Sequence, residues 1–502
     1  MQNLKQISQS IRLDNLSLPE LVETSLRNEK TKLSSAGALI VEIQKPGVVQ
    51  RKLVNDASIH DIRCPKNSVL AITNKEFHHL WQTVRDNLAN GISFRQHLHF
   101  GIDPSIALPI ELNTKYAWHA IASFSLCHKP KLFNTRDLPV WKIFWVPHDY
   151  LPEKDRPKIE NGIILINPGS RKILVGGNIS PGEMRRSLLM VLGLILPDKN
   201  AIPLHGASAL SNKTVLTFLG PPGTNKTAWA MQSGELIGER GLFLSHRGID
   251  RLGDGCRIRL SSNMPLRGGG LFAFGTLIEG AKLKYDRSLS DTDNPEKPIH
   301  ASIDITAVSS VSSPVFDGPK KIAILVNDSL GVLPVISSIT REQALAWFLI
   351  GYSSEEIAGN NLKTNNPHFA AGFFDGLLLR PVHKYIDILD DLCDHFQTQF
   401  FLVNVGFRSE KRTERKILST DQRLEIIHKI KTCESWTNYS YFNARIPKGV
   451  SKTGLNWDAS EAWSQRLNYD SAYNKLCELI KDQLKKYKVE DRFLNCLGLI
   501  QC

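Results

Sequence analysis

The 502-residue sequence has no apolar run long enough to cross a bilayer. Its longest greasy stretch, Leu188–Pro197, falls well short of the roughly 20 residues that a spanning helix needs. The opening stretch holds Lys5, Arg12, Glu20 and Glu23 but no apolar core of a secretory leader, so a cytoplasmic location is expected. The eight cysteines (64, 127, 256, 393, 433, 477, 496 and 502) form no C-x-x-C pair and no Cys/His cluster at zinc spacing. Neither a disulfide framework nor a zinc knuckle is therefore expected, and the thiols read as reduced and mostly buried. H-E-x-x-H and G-x-S-x-G are missing as well, which removes zinc-peptidase and nucleophile-elbow hydrolase chemistry.

What remains is the composition of an ordinary globular protein, 42% hydrophobic and 22% charged. A chain of this length exceeds the size at which one core keeps growing, so two lobes are expected. The formal charge of +12 is spread along the sequence apart from a run at Arg408–Lys416, by default a solvated basic face. A small anionic substrate accounts for that balance as well as nucleic acid does, and nucleic acid is the minority reading. Room is left for a protein partner that supplies missing groups.

Up to about residue 200 the chain mixes helical patterns, such as Lys75–Ala89, with short strands, such as Gly37–Ile43 and Gly162–Ile166. From 201 onward, apolar strands end in glycine or acidic residues: Val215–Leu219 and Lys321–Val326 are the clearest. Helical patterns follow at Arg341–Ile350, Lys384–Gln397 and Asp421–Lys431. The reading is an α/β protein with an N-terminal domain over 1–200 and a nucleotide-binding domain over 201–502. The segment 352–369, rich in Gly, Ser and Asn and with no evident strand of its own, suits a lid. Gly268-Gly-Gly270 has no following Lys-Ser/Thr and reads as a flexible turn.

The strongest motif is Gly220-Pro221-Pro222-Gly223-Thr224-Asn225-Lys226-Thr227, set between a β-rich run and the helix-prone Ala228–Gln232. Strand, loop and helix follow in the order a P-loop requires. In such a loop the backbone N–H groups turn inward around a phosphate, the lysine spans phosphate oxygens and the hydroxyl ligates Mg²⁺. Asn225 stands where the consensus has glycine; asparagine is among the few residues that tolerate positive φ, so the loop survives if that position is left-handed.

The surroundings of the loop resemble the ATP-dependent phosphoenolpyruvate carboxykinase family. Gly182-Glu-Met-Arg-Arg186 is similar to its G-E-M-K-K, and Pro203-Leu-His-Gly-Ala-Ser208 to its M-H-C-S-A segment. Leu236-Ile-Gly238 stands where the family has L-I-G-D-D, and Asn327-Asp-Ser-Leu-Gly-Val-Leu-Pro334 resembles D-A-F-G-V-L-P. Leu402-Val-Asn-Val-Gly-Phe407 is similar to L-V-N-T-G-W; Ala117-Trp-His-Ala120 and Thr340-Arg-Glu-Gln-Ala344 match further stretches in the same order. The resemblance implies a two-lobed fold with the P-loop in the C-terminal domain. It also implies the family reaction, in which oxaloacetate is decarboxylated and its enolate takes a phosphoryl group from ATP, with one divalent cation on the nucleotide and a second, usually Mn²⁺, at the enolate.

Carried over residue by residue, the resemblance places Gly220 to Thr227 around the phosphates, with Lys226 and Thr227 in their P-loop roles. Lys416, Ile417 and Gln422 fall on the adenine side, and Glu239 helps hold Mg²⁺ through water. The second metal takes a lysine, a histidine and an aspartate, and here these positions are Arg186, His205 and Arg240. A guanidinium stays protonated and offers no lone pair, so only His205 remains a ligand and Mn²⁺ binding is expected to be lost. The oxaloacetate-binding arginine of G-R-S-P-K-D-K has no counterpart in Lys45–Lys52, the tyrosine before G-E-M is Ser180, and the arginine of T-R-V-S-Y-P falls near Ala301. Asp328, at a strand end, is weighed as functional against the alternative of a turn former. Two readings stand: the family reaction, or a diverged paralogue in which Arg186 and Arg240 neutralise phosphate while the protein acts as a nucleotide-binding regulator or phosphorylates another substrate.

Overall fold

A computed structural model of the chain describes residues 10–43, 49–54, 70–103, 106–129, 138–159, 161–177, 179–260, 274–290, 299–309, 317–354, 366–374, 376–406, 418–432 and 435–499. The chain divides into two compact units, Met1–Ile195 with Arg251–Ser312, and Leu196–Asp250 with Ser313–Cys502. The first change of unit thus falls close to residue 200. Arg251–Ser312, which local pattern assigns to the C-terminal domain, packs with the first unit because Leu277–Glu279 pairs in parallel with Leu39–Val41. A partner so far away in sequence leaves no trace in local periodicity.

The first unit is built on a mixed eight-stranded sheet whose central strands include Leu108–Thr114, Trp141–Val146 and Lys172–Gly176. The helix Asn74–Leu88 starts at a reciprocal cap, Thr73 Oγ1 accepting from the Glu76 amide while the Glu76 carboxylate accepts from Thr73. Its buried stripe Phe77, Leu80, Trp81, Val84 and Leu88 follows the helical period, and the Trp81 ring stacks on Phe144 at 3.9 Å. Burial of side chains of this size contributes about 1.5–3 kcal/mol each. A second sheet of five strands carries Ala301, fully buried in the strand His300–Asp304.

In the helix Ala117–Leu126, His119 is buried, with Nδ1 2.8 Å from Thr114 Oγ1 and its ring parallel to Trp145 at 4.1 Å. Burial pushes its pKa down to about 3, opposed by the Trp145 carbonyl. The Ala117–Ala120 stretch of the family pattern is therefore a packing element.

The second unit carries another eight-stranded sheet, in which Thr214–Leu219, Pro319–Val326 and Gln399–Asn404 are adjacent and parallel. They read as near-continuous runs of Val, Ile, Leu and Phe because a parallel sheet is covered on both faces. Helices Arg341–Ile350, Val382–His395 and Thr420–Thr432 appear where the sequence pattern puts them. The first of these opens with Thr340 and Gln343 capping each other, which explains the Thr340–Ala344 pattern physically.

The lid segment does have strands at its ends, contrary to the sequence reading: Tyr352–Ser354 pairs antiparallel with Pro367–Phe369. The reversal that starts this ladder depends on Gly351, left-handed at φ +58°, where a Cβ would lie 1.6 Å from the Ala370 carbonyl oxygen. The stretch 355–365 lies outside the described residues, as do Gly268–Gly270 and the basic run Arg408–Lys416. Cys127, Cys256, Cys393 and Cys477 are free and buried, and Cys496 is free and partly buried. Among the described residues, no helix is long and apolar enough to cross a membrane.

Candidate functional site

In the second unit, the sheet brings five chain segments to one edge. Gly206 lies opposite Leu219, and the neighbouring Ala207 lies opposite Glu239, so His205, the start of the loop at Gly220 and the pair Glu239–Arg240 share the carboxyl end of the loop's strand. Val326 lies opposite Asn404 in the parallel ladder, which brings Asn327 and Asp328 to the same end. This is where ligands bind in parallel sheets.

The loop leaves the sheet at Gly220, at φ +151°, where a Cβ would lie 2.4 Å from the Leu325 carbonyl oxygen, so there is no space for a side chain. Asn225 is left-handed, with φ 60° and ψ 35°, so it adopts the backbone that the consensus glycine would. Its carbonyl accepts from the Ala228 and Trp229 amides at 3.0 and 3.3 Å and begins the helix Lys226–Ser233. Thr224 Oγ1 donates to the Pro221 carbonyl at 2.8 Å and tightens the turn. Lys226 is buried, its ammonium donating to the carbonyls of Gly220 and Pro221 at 2.8 and 2.7 Å. A strongly hydrated charge is thereby held inside the loop on two carbonyl oxygens.

Glu239, 3% exposed, ends its strand beside this loop. Its Oε2 accepts from Thr227 Oγ1 at 3.5 Å and from Arg240 Nε at 3.1 Å. Arg240 is left-handed at φ 52°, and its amide donates to the Gly206 carbonyl at 2.7 Å. A hydroxyl next to a carboxylate is the donor set a hard oxygen-seeking ion such as Mg²⁺ takes, usually with several waters retained. His205 is buried between the strands Ile202–Leu204 and Gly206–Ser211, its ring 5.6 Å from that of Phe374. Among the described residues, no three His, Cys, Asp or Glu side chains are grouped to hold a metal.

Asp328 proves to be a turn former. Its carboxylate accepts from the Leu330, Val332 and Leu333 amides at 2.8, 2.7 and 2.8 Å and from the Tyr352 hydroxyl at 2.8 Å. Burial raises its pKa, and those donors pull the other way. Gln422 exchanges hydrogen bonds with Ser419 at the start of its helix, Ser419 N donating at 3.1 Å and Gln422 N donating back at 3.2 Å. Lys416 and Ile417 lie outside the described residues.

In the first unit, Ser180 stands at the start of the helix Pro181–Ile195 and accepts from the Glu183 amide at 3.3 Å. A serine at this place caps a helix, which accounts for the residue that replaces the family's tyrosine. Arg185 is buried and donates to the carbonyls of Ser125 and Gly255 at 3.0 and 3.2 Å, a packing role. Arg186 is part-exposed and donates to Glu183 Oε1 at 2.6 Å. The other oxygen of Glu183 accepts from Arg51 on the strand Gln50–Val54. Sequence reading passed over Arg51, since nothing local ties it to a glutamate that lies 132 residues further on.

The family model described as phosphoenolpyruvate carboxykinase matches residues 11–455. A protein of Bacillus velezensis named phosphoenolpyruvate carboxykinase (ATP) is 29% identical, the match covering 96% of this chain and 95% of that protein. A protein of the same name from Geobacillus thermodenitrificans and one named phosphoenolpyruvate carboxykinase (ATP) 1 from Moorella thermoacetica are 28% and 26% identical; those matches cover 96% and 94% of this chain and 95% and 94% of theirs.

Proposed function

Because the chain belongs to the ATP-dependent phosphoenolpyruvate carboxykinase family, we propose that it binds ATP at Gly220–Thr227 and carries out the reaction its relatives are named for. Oxaloacetate loses its β-carboxylate as CO₂, the electron pair of the broken C–C bond forms an enolate, and the enolate oxygen takes the γ-phosphoryl group to leave ADP. This is a gluconeogenic step, and we assign it to the cytoplasm. The observation that carries the reading is the left-handed Asn225, which keeps a P-loop backbone despite the missing consensus glycine.

The chain's own groups have these roles. Loop N–H groups and the Lys226 ammonium hold phosphate oxygens in place and offset the charge that grows during transfer. Thr227 and Glu239 hold the nucleotide's Mg²⁺, which when bound draws charge from the phosphates. The unit Met1–Ile195 with Arg251–Ser312 serves the small anionic substrate, and the unit Leu196–Asp250 with Ser313–Cys502 serves the nucleotide. His205 holds what remains of the second-metal set; with arginine at both other positions, those residues do not fit a second ion, and no step is routed through one.

A coupled assay with oxaloacetate, ATP and divalent cation tests the reading. Phosphoenolpyruvate formation that vanishes in Lys226→Ala is expected. MgATP binding without any product would remove the reaction and leave the second reading: a nucleotide-binding regulator or a kinase acting on another substrate, with Arg186 and Arg240 neutralising phosphate.

A further inference from the structure

At the end of the strand Glu235–Glu239 a single carboxylate oxygen serves two groups. Glu239 Oε2 lies 3.1 Å from Arg240 Nε and 3.5 Å from the hydroxyl of Thr227, the last residue of the loop and already in the helix Lys226–Ser233. The Arg240 side chain is 39% exposed, and its root is fixed from the backbone. Its backbone is left-handed, and its amide is tied to the Gly206 carbonyl, one residue after His205. The residue is thus anchored at the edge of the sheet where the phosphate loop begins, with its guanidinium turned to Glu239.

We infer that Arg240, held by Glu239, is a catalytic residue that presents a permanent cation to the transferred phosphoryl group in place of a second divalent ion, so that this chain engages ATP with one divalent ion rather than two. The inference rests on the reading of Gly220–Thr227 as the ATP site. A fixed guanidinium carries no lone pair to ligate a metal and repels a second divalent charge brought beside it. It also forms the charge-assisted, fork-shaped hydrogen bonds that suit phosphate oxygens, the role of arginine clamps on transferring phosphoryl groups. Glu239 then has a double task, orienting Arg240 and helping hold the nucleotide's ion through Thr227.

Titration of the full chain with Mn²⁺, followed by electron paramagnetic resonance in the presence and absence of saturating ATP, reads the metal count directly. The expected result is one Mn²⁺ per chain with ATP and no tightly held Mn²⁺ without it. Arg240→Asp is expected to add a second Mn²⁺ with ATP, while Arg240→Gln weakens ATP binding by roughly tenfold and adds none; Arg240→Lys recovers part of that loss. Calorimetry with MgATP supplies the affinities, and thermal melts confirm that each variant is folded. Two Mn²⁺ per wild-type chain with ATP bound, or unchanged ATP affinity in Arg240→Gln, overturns the inference while the nucleotide site stands. No ATP binding by the wild-type chain overturns the reading of the loop, and the inference with it.

Discussion

The loop Gly220–Thr227 and the stretch Ser180–Arg186 have diverged from the same family pattern with different consequences. The loop replaces its consensus glycine by Asn225 and keeps the left-handed backbone, and the N–H groups proposed to hold phosphate come from Gly223 to Thr227, a stretch without proline in which the side chain is free to vary. The other stretch turns lysine into Arg186 and tyrosine into Ser180, and each substitution takes up a different task, a pairing with Glu183 and a helix cap. A site assembled from backbone tolerates sequence change; a site assembled from side-chain lone pairs does not.

The most severe way to break the loop's side of this comparison is to remove the scaffold behind it. Asp328→Ala strips the acceptor from three amides and a hydroxyl in a fully buried turn, and is expected to cost about 4 kcal/mol in chemical denaturation. Lys226→Ala is expected to weaken MgATP binding roughly a hundredfold by calorimetry, about 2.8 kcal/mol, with the fold retained. Unchanged affinity would show that the loop does not hold the nucleotide at all.

The first unit is expected to respond to acid through His119. Its folded pKa of about 3 lies below the ordinary value of 6.5, so the unfolded chain takes up the proton first and stability falls as pH drops below 6.5. Between pH 6.5 and 5 the loss is about 2 kcal/mol, at about 1.4 kcal/mol per unit of pH. Melting temperatures across that window check it, and His119→Gln should flatten the slope. The smallest effect sharpens the backbone argument: Asn225→Gly should leave MgATP affinity within about twofold, whereas Asn225→Ala should cost about 1 kcal/mol of stability in denaturant melts for placing an ordinary side chain at positive φ. Equal behaviour of the two variants would deny that the left-handed backbone matters.

Much of the architecture was legible in the chain. Arg341–Ile350 appears with the bounds its periodicity indicates, and Asn74–Leu88 within a residue of them, because apolar spacing and caps are local signals. The loop was legible for the same reason, including the demand that position 225 be left-handed. Asp328 was harder: a strand-end aspartate in a family motif looks the same whether it faces a ligand or ties down its own turn, and only the positions of the Leu330, Val332 and Leu333 amides separate the two.

By itself, then, the sequence determined the family, the α/β character and the strand–loop–helix at Gly220–Thr227, all of which are written in residues close together along the chain. The tertiary structure decided that Arg251–Ser312 folds with the first unit, that Arg51 meets Glu183, and that Glu239 is shared between Thr227 and Arg240. Strand register and the direction in which a side chain leaves its backbone set those pairings, and both are fixed by packing between distant segments rather than by any local pattern.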